Sequence, residues 1–253
     1  MNIKELLNKV LYYISVPKCV LCKEKLDYSD RGLCKNCLKI YEDHKQRNCP
    51  RCSRILSKCF CSYDALEKKG VKNLVKIFRY SKSEQSLPSN YLIYSLKQDN
   101  REDVLSFLSD ELADAIRNSI DLDEREYVIT NVPRRKKAII LFGYDHAALL
   151  AKAVADKLGI KYIALLVSKS KKAQKSVFGD DRIENAKFEG KRNVEFNFKG
   201  KSVILVDDII TTGSSMINSA SVLKSLGARR IIGACLGTAY KEKYIDFEYS
   251  AFE

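Results

Sequence analysis

The sequence predicts an α/β protein, a parallel sheet with helices on both faces, behind a small cysteine-rich module. Two observations carry this. After about residue 100, branched runs such as YVITNV and VILVDD alternate with helical stretches, and strands that apolar lie in sheets covered on both sides. Eight of the nine cysteines fall between Cys19 and Cys61, in a stretch too small to bury a core of its own. The 253 residues suit one normal domain with an appendage, and the change of texture divides them at 1–66 and 67–253.

The elements follow in order. Ile3, Leu6, Leu7, Val10, Leu11 and Ile14 recur at helical spacing and predict an amphipathic helix over 3–14. Residues 15–61 form the cysteine segment. A polar bridge over 62–100 holds a helix near 66–79 and a Ser-rich turn at Leu87-Pro88-Ser89. Val104, Phe107, Leu108, Leu112, Ala115 and Ile116 mark a helix, and 127–132 a short buried strand that leads into the basic turn 133–137. Ala147 to Leu158 is a helix stopped by Gly159, and 161–167 a strand. A Lys- and Ser-rich loop at 168–190 is long enough to be a lid. The strand 203–208, a helix from Ser214 to Leu226 stopped by Gly227, and the strand RIIGACLG complete the pattern. Cys235, alone in that last run, reads as a small buried residue.

Composition excludes several classes. Apolar content of 45% with 30% charged residues excludes a disordered chain. No apolar run approaches the ~20 residues of a membrane span. Lys4, Glu5 and Lys9 interrupt what a secretory leader would keep apolar, so the expected location is the cytoplasm. Lys and Arg outnumber Asp and Glu by 45 to 32, a formal charge of +13 that favours polyanionic partners.

The eight cysteines form four close pairs: Cys19/Cys22, Cys34/Cys37, Cys49/Cys52 and Cys59/Cys61. Reducing conditions argue against disulfides. A C-x-x-C turn sets two sulfurs about 3.5–4 Å apart, near the edge of a tetrahedron built on Zn–S bonds of ~2.3 Å. Four pairs suit two structural zinc sites. The simplest assignment is Cys19/Cys22/Cys34/Cys37 and Cys49/Cys52/Cys59/Cys61, with a cross-braced pairing or an empty second site as alternatives. His44 is not needed as a ligand. Two filled sites remove four charges, which leaves the protein near +9.

The chemistry is concentrated in VILVDDIITTGSS, residues 203–215. A strand ends in two acids at the carboxyl edge of a sheet, where open α/β sheets bind ligands. A small hydroxyl-and-glycine loop then opens a helix, whose N–H groups and dipole suit a phosphate. Adjacent carboxylates can accept from the two hydroxyls of a ribose. Gly200-Lys201-Ser202 imitates a P-loop, but Glu195 stands where its first glycine belongs, and the segment precedes a strand rather than following one.

That segment resembles the phosphoribosyl-pyrophosphate (PRPP) loop of type I phosphoribosyltransferases. With the four cysteine pairs before it, the chain resembles the ComF family of competence proteins. Leu96-Lys97 is similar to that family's Leu-Lys bridge, and Asn131-Val132-Pro133-Arg134-Arg135 to its pyrophosphate loop. Gln174, Arg182, Asn185 and Phe188 are similar to its hood loop. Where the family usually has Arg-Gly-Phe-Asn-Gln, this chain has Phe142-Gly143-Tyr144-Asp145-His146, which implies altered pyrophosphate handling or a different acceptor. The resemblance implies a type I phosphoribosyltransferase-like fold with an N-terminal zinc ribbon. It implies that Asp207 and Asp208 act in catalysis by binding the ribose hydroxyls of PRPP. Thr211, Thr212, Gly213, Ser214 and Ser215 would hold the 5′-phosphate; Arg134, Arg135 and Lys97 would meet the pyrophosphate with Mg²⁺.

Three functions are compatible with these residues. One is a PRPP-using phosphoribosyltransferase of DNA uptake, with a purine or an amine as acceptor. Another is an inactive competence factor that binds single-stranded DNA and keeps PRPP only as a ligand. Tyr12, Tyr13, Tyr28, Tyr41, Phe60 and Tyr63 lie among basic residues, which suits base stacking. The third is a transcriptional regulator that senses PRPP. Partners on these readings are PRPP, single-stranded DNA and DNA-uptake proteins.

Overall fold

The computed structural model describes residues 16–49, 51–80, 87–122, 126–169, 187–191, 196–198 and 201–239. The expected helix at 3–14, the centre of the basic loop, and Gln174, Arg182 and Asn185 lie outside them.

Four parallel strands form the main sheet: β1 (Asn73–Arg79), β2 (Glu126–Asn131), β5 (Lys201–Ile210) and β6 (Arg230–Thr238). Their spatial order is β1-β6-β5-β2, so β5 and β6 are central and read as near-continuous apolar runs. Beyond β2, Ile129 N–H donates to the Lys161 carbonyl at 3.0 Å and Ile163 N–H to the Ile129 carbonyl at 2.9 Å. A separate two-stranded ribbon pairs β3 (Leu166–Lys169) antiparallel with β4 (Lys187–Gly190).

Helices cover both faces. Helix α4 (Glu102–Ser119) and helix α6 (His146–Leu158) put Leu108, Leu112, Ile116, Leu150 and Val154 against Val75, Ile77, Ile204, Val206 and Ile232. On the other face, α7 (Ser214–Ser225) packs Met216, Ala220 and Leu223 against Leu74, Val203, Leu205, Ile231 and Cys235. The alternation of β5 between these cores follows from the two-residue side-chain period of a strand. Cys235 is fully buried, as its apolar surroundings imply.

The two cysteine segments are held differently. Cys19, Leu26, Leu33, Cys37 and Tyr41 join the first sheet core, Tyr41 and Cys37 from helix α1 (Lys35–Lys45). Tyr41 meets the ring of Phe107 edge-on at 5.3 Å and donates its hydroxyl to Glu111 Oε2 at 2.9 Å. The second segment makes a small cluster of Cys49, Leu56 and Cys59, closed by a short 3-10 turn at Leu56–Lys58. Arg51 ties it to helix α2 (Asp64–Lys68) through Asp64 at 2.9 Å and Glu67 at 3.1 Å.

Several expectations are corrected. The helix near 66–79 is α2 followed by β1: Leu74, Val75, Ile77 and Phe78 are all fully buried, so this short run serves both faces of a sheet, which periodicity alone cannot distinguish from a buried helix. The turn at Leu87-Pro88-Ser89 opens helix α3 (Pro88–Gln98), where Pro88 starts the helix and Leu92, Ile93 and Leu96 are buried. The basic turn at 133–137 ends early, because Lys136 begins helix α5 (Lys136–Phe142). The strand at 161–167 is a bridge at Tyr162 and then β3, since the chain leaves β2 for the ribbon. The lid loop is shorter than 168–190, because both its ends are strands of that ribbon.

Candidate active site

The site forms at the carboxyl end of β5. Leu205 packs in the core under α7 and Val206 in the core under α4, and the two acids follow them where the strand nears its end. Asp208 is 5% exposed and carries two cations on one oxygen. Lys97 Nζ, from the last turn of α3, lies 3.0 Å from Oδ2, and Arg134 Nη2, from the loop after β2, lies 2.6 Å from it. Its Oδ1 accepts the Ile209 N–H at 2.6 Å. Burial pushes Asp208 up, but Lys97 and Arg134 outweigh it and hold the carboxyl below its usual range. Asp207 goes the other way: burial and then the neighbouring Asp208 charge raise it well above that range. The pair is split into one firm anion and one acid that resists ionisation.

The loop after β5 turns through Gly213, whose φ of 76° is the left-handed region that glycine enters without strain. Thr212 Oγ1 lies 2.8 Å from Ser214 Oγ at the start of α7. Thr211, Thr212 and Ser215 are exposed, while Gly213 and Ser214 are buried. The first N–H groups of α7 thus follow a short hydroxyl-bearing loop, and the Ser214 N–H donates to Thr212 Oγ1 at 3.4 Å. Lys97 and Arg134 converge on the acids; Arg135 is exposed as the N-cap of α5, and the structure does not bring it onto Asp208.

Asp145, Asn131 and Tyr162, to none of which the sequence assigned a ligand, organise the site. Asp145 caps α6, its Oδ1 accepting the Ala148 N–H at 3.1 Å. Its Oδ2 accepts the Arg134 backbone N–H at 3.2 Å and lies 3.5 Å from Asn131 Nδ2. Tyr162 donates its hydroxyl to Asn131 Oδ1 at 2.7 Å. Asp145 thus fixes the backbone that aims Arg134. The signal was legible, since an Asp before an apolar helical run is an N-cap. His146 beside it is buried, with its ring edge-on to Tyr144 at 4.9 Å. Burial and the Arg134 charge lower its pKa, so it stays neutral.

The cysteines gather into the two sequential sets. Within each set the four sulfurs lie within 4.8 Å of one another. Cys22 and Cys34 approach to 3.6 Å, and Cys52 and Cys59 to 3.5 Å, near the edge of a zinc–thiolate tetrahedron. Each set contains one acidic thiol. Burial raises Cys19, but backbone N–H donors outweigh it and bring it to about 7; the Arg54 backbone lowers Cys52 to about 7. Donor type, number and spacing all fit structural Zn²⁺, and both sets could hold it.

The fold and its carboxyl-edge site define a phosphoribosyltransferase-like domain behind a two-centre cysteine module. The Phosphoribosyl transferase domain model matches residues 135–249. DNA utilization protein YhgH of Escherichia coli K12 is 24% identical over 225 residues, which cover 86% of this chain and 95% of that one. Competence protein ComFC of Streptococcus pneumoniae R6 is 27% identical over 234 residues, 85% of this chain and 96% of that one. Among solved structures, the purine phosphoribosyltransferase of Pyrococcus horikoshii Ot3 aligns over 53% of this chain and 72% of its own at 20% identity, with a TM-score of 0.36. The resemblance to the ComF family is borne out by YhgH and ComFC. Among the described residues, no helix is long and apolar enough to cross a membrane.

Proposed function

We propose that the chain binds PRPP with Mg²⁺ at the carboxyl end of β5 and works as a phosphoribosyltransferase-like protein of DNA utilization and competence. The observation that carries this is Asp208, held buried between Lys97 and Arg134 beside a glycine-opened helix. Asp207 and Asp208 would accept from the ribose hydroxyls, with Thr211, Thr212, Gly213, Ser214 and Ser215 around the 5′-phosphate. Lys97 and Arg134 would turn from Asp208 to the pyrophosphate, and Arg135 would join them from the rim. Bound Mg²⁺ would neutralise pyrophosphate charge.

Departure of pyrophosphate from C1′ creates an oxocarbenium-like centre of the kind met in glycoside hydrolysis. Fixed charge and exclusion of water are enough to promote such a step, so no side-chain nucleophile is required. A purine or an amine would serve as acceptor. The module of residues 1–66 would act as a zinc-held appendage to the domain of 67–253. The test is pyrophosphate release from PRPP·Mg²⁺ with panels of purines and amines. Acceptor-dependent release in the wild type, absent from Asp207→Asn/Asp208→Asn, supports transfer; no release with any acceptor removes it.

The charge of +13 favours a second reading, a competence factor that binds single-stranded DNA and keeps PRPP as a ligand. Log affinity should then fall with log salt by roughly 0.7 per phosphate neutralised. No binding at low salt would eliminate this reading.

A further inference from the structure

Lys76 lies in the interior of β1, where an ammonium is unexpected, and only 2% of it is exposed. A buried charge is costly unless it is paired and hydrogen-bonded. Its Nζ sits 3.4 Å from Cys59 Sγ and donates to the Cys61 carbonyl at 2.8 Å. Both partners belong to the second cysteine set. The same sulfur also receives the Cys61 N–H at 3.4 Å.

Four thiolates around one Zn²⁺ leave two surplus negative charges. In the second set, Cys49 and Cys59 are buried at 4% and 1% exposure, so water screens that surplus poorly. The first set also buries two of its cysteines, Cys19 and Cys37, and differs at a third. There Cys22 is exposed to solvent, and the nearby Lys23 is spent on the Val20 carbonyl at 2.8 Å.

We propose that Lys76 is the outer-sphere cation of the second cysteine centre, locked in the sheet to retain Zn²⁺ there. Groups beyond the direct ligands orient them and tune the metal, and here the group is a full charge. The arrangement also attaches the small second module to β1, because the ammonium contacts two of its ligand residues. Another acidic group stands in the same row of the sheet. Lys76 is in register with Cys235 of β6, which is in register with Asp207 of β5, so Asp207 lies two strands away on the same row. Its ammonium, however, is engaged at Cys59 and Cys61.

The experiment uses the full zinc-loaded chain and Lys76→Met, which keeps an unbranched stem and removes the charge. Zinc release to a chromogenic chelator should resolve two ions in the wild type. In Lys76→Met one ion should leave at least tenfold faster while the other keeps the wild-type rate. Co²⁺-loaded protein should show the thiolate-to-metal absorption of one centre shifted and the other unchanged. Release of both ions from Lys76→Met at the wild-type rates would overturn the proposal. So would parallel loss of both ions, which would make Lys76 a support of the fold as a whole. Altered PRPP binding with unaltered zinc release would overturn it too, by assigning Lys76 to Asp207. A single zinc in the wild type would instead refute the two-centre reading, a separate failure.

Discussion

The carboxyl edge of β5 and the second cysteine centre both set buried negative charge beside lysine, at two places on one sheet. They differ in what the cation can do next. At the edge, the side chains of Lys97 and Arg134 are 29% and 21% exposed and arrive from a helix end and a loop. Either can pivot to a new anion without disturbing a core. Lys76 is held inside a strand with its head group against Cys59 and has nowhere to go. A counter-charge that can be handed over belongs to a ligand site; one that is fixed belongs to a structural centre.

The largest expected effect comes from removing the anion at the edge. Asp208→Asn leaves Lys97 and Arg134 facing an amide and should reduce PRPP affinity at least 100-fold by calorimetry, about 2.7 kcal/mol. The same change should lower stability by about 1–3 kcal/mol in denaturant melts, below the cost of breaking a fully buried pair because both cations reach water. Stability from Asp208 has a definite sign with pH. Its lowered folded pKa supplies stability above the ordinary carboxylate range, and that stability is lost as pH falls through the folded value. The acid limb of the wild-type stability curve should therefore flatten in Asp208→Asn.

Taking away one transferable cation should do less. Lys97→Met is expected to weaken PRPP about tenfold, or ~1.4 kcal/mol, while zinc content stays unchanged. Equal affinity in this variant would mean that Arg134 alone serves the ligand, and the comparison with Lys76 would lose half its content.

Asp207→Asn should separate binding from folding. The raised pKa of Asp207 means that its ionised form is disfavoured in the fold, so the amide should stabilise the free protein near neutral pH. That gain should be absent below the ordinary carboxylate range, grow as pH rises above it, and level off once pH passes the raised folded pKa. Affinity for PRPP should fall in the same variant. A melting temperature lowered by the substitution would contradict the split between the two acids.

The smallest effect is expected at Asp145. Asp145→Ala removes the cap of α6 and one anchor of the Arg134 backbone, a loss of about 1 kcal/mol. It should weaken PRPP severalfold through misplacement of Arg134, without altering zinc release.

Much of this arrangement was legible in the chain, for physical reasons that differ by region. VILVDD can only be a buried strand with a carboxylate edge, and Gly213 can only mark a turn into a helix. The pairing of cysteines by proximity also held, because short C-x-x-C turns leave little freedom. Residues 73–79 differ from the helix expected there because the apolar pairs Leu74-Val75 and Ile77-Phe78, on either side of Lys76, satisfy both helix and strand periods. Pro88 read as a turn, although its fixed φ equally starts a helix. Lys76 had no local signal at all. Its role depends on the contact between a strand and a cysteine 17 positions earlier, which only the folded chain creates.

The central claim is that the Asp207–Asp208 edge is a ribose-phosphate site whose cations are released to the ligand. Calorimetric titration of PRPP·Mg²⁺ into the zinc-loaded protein, beside Asp207→Asn/Asp208→Asn, tests it most directly. Saturable binding in the wild type and none in a folded double variant is the expected result. Equal binding by both proteins, or none by a folded wild type, would contradict it.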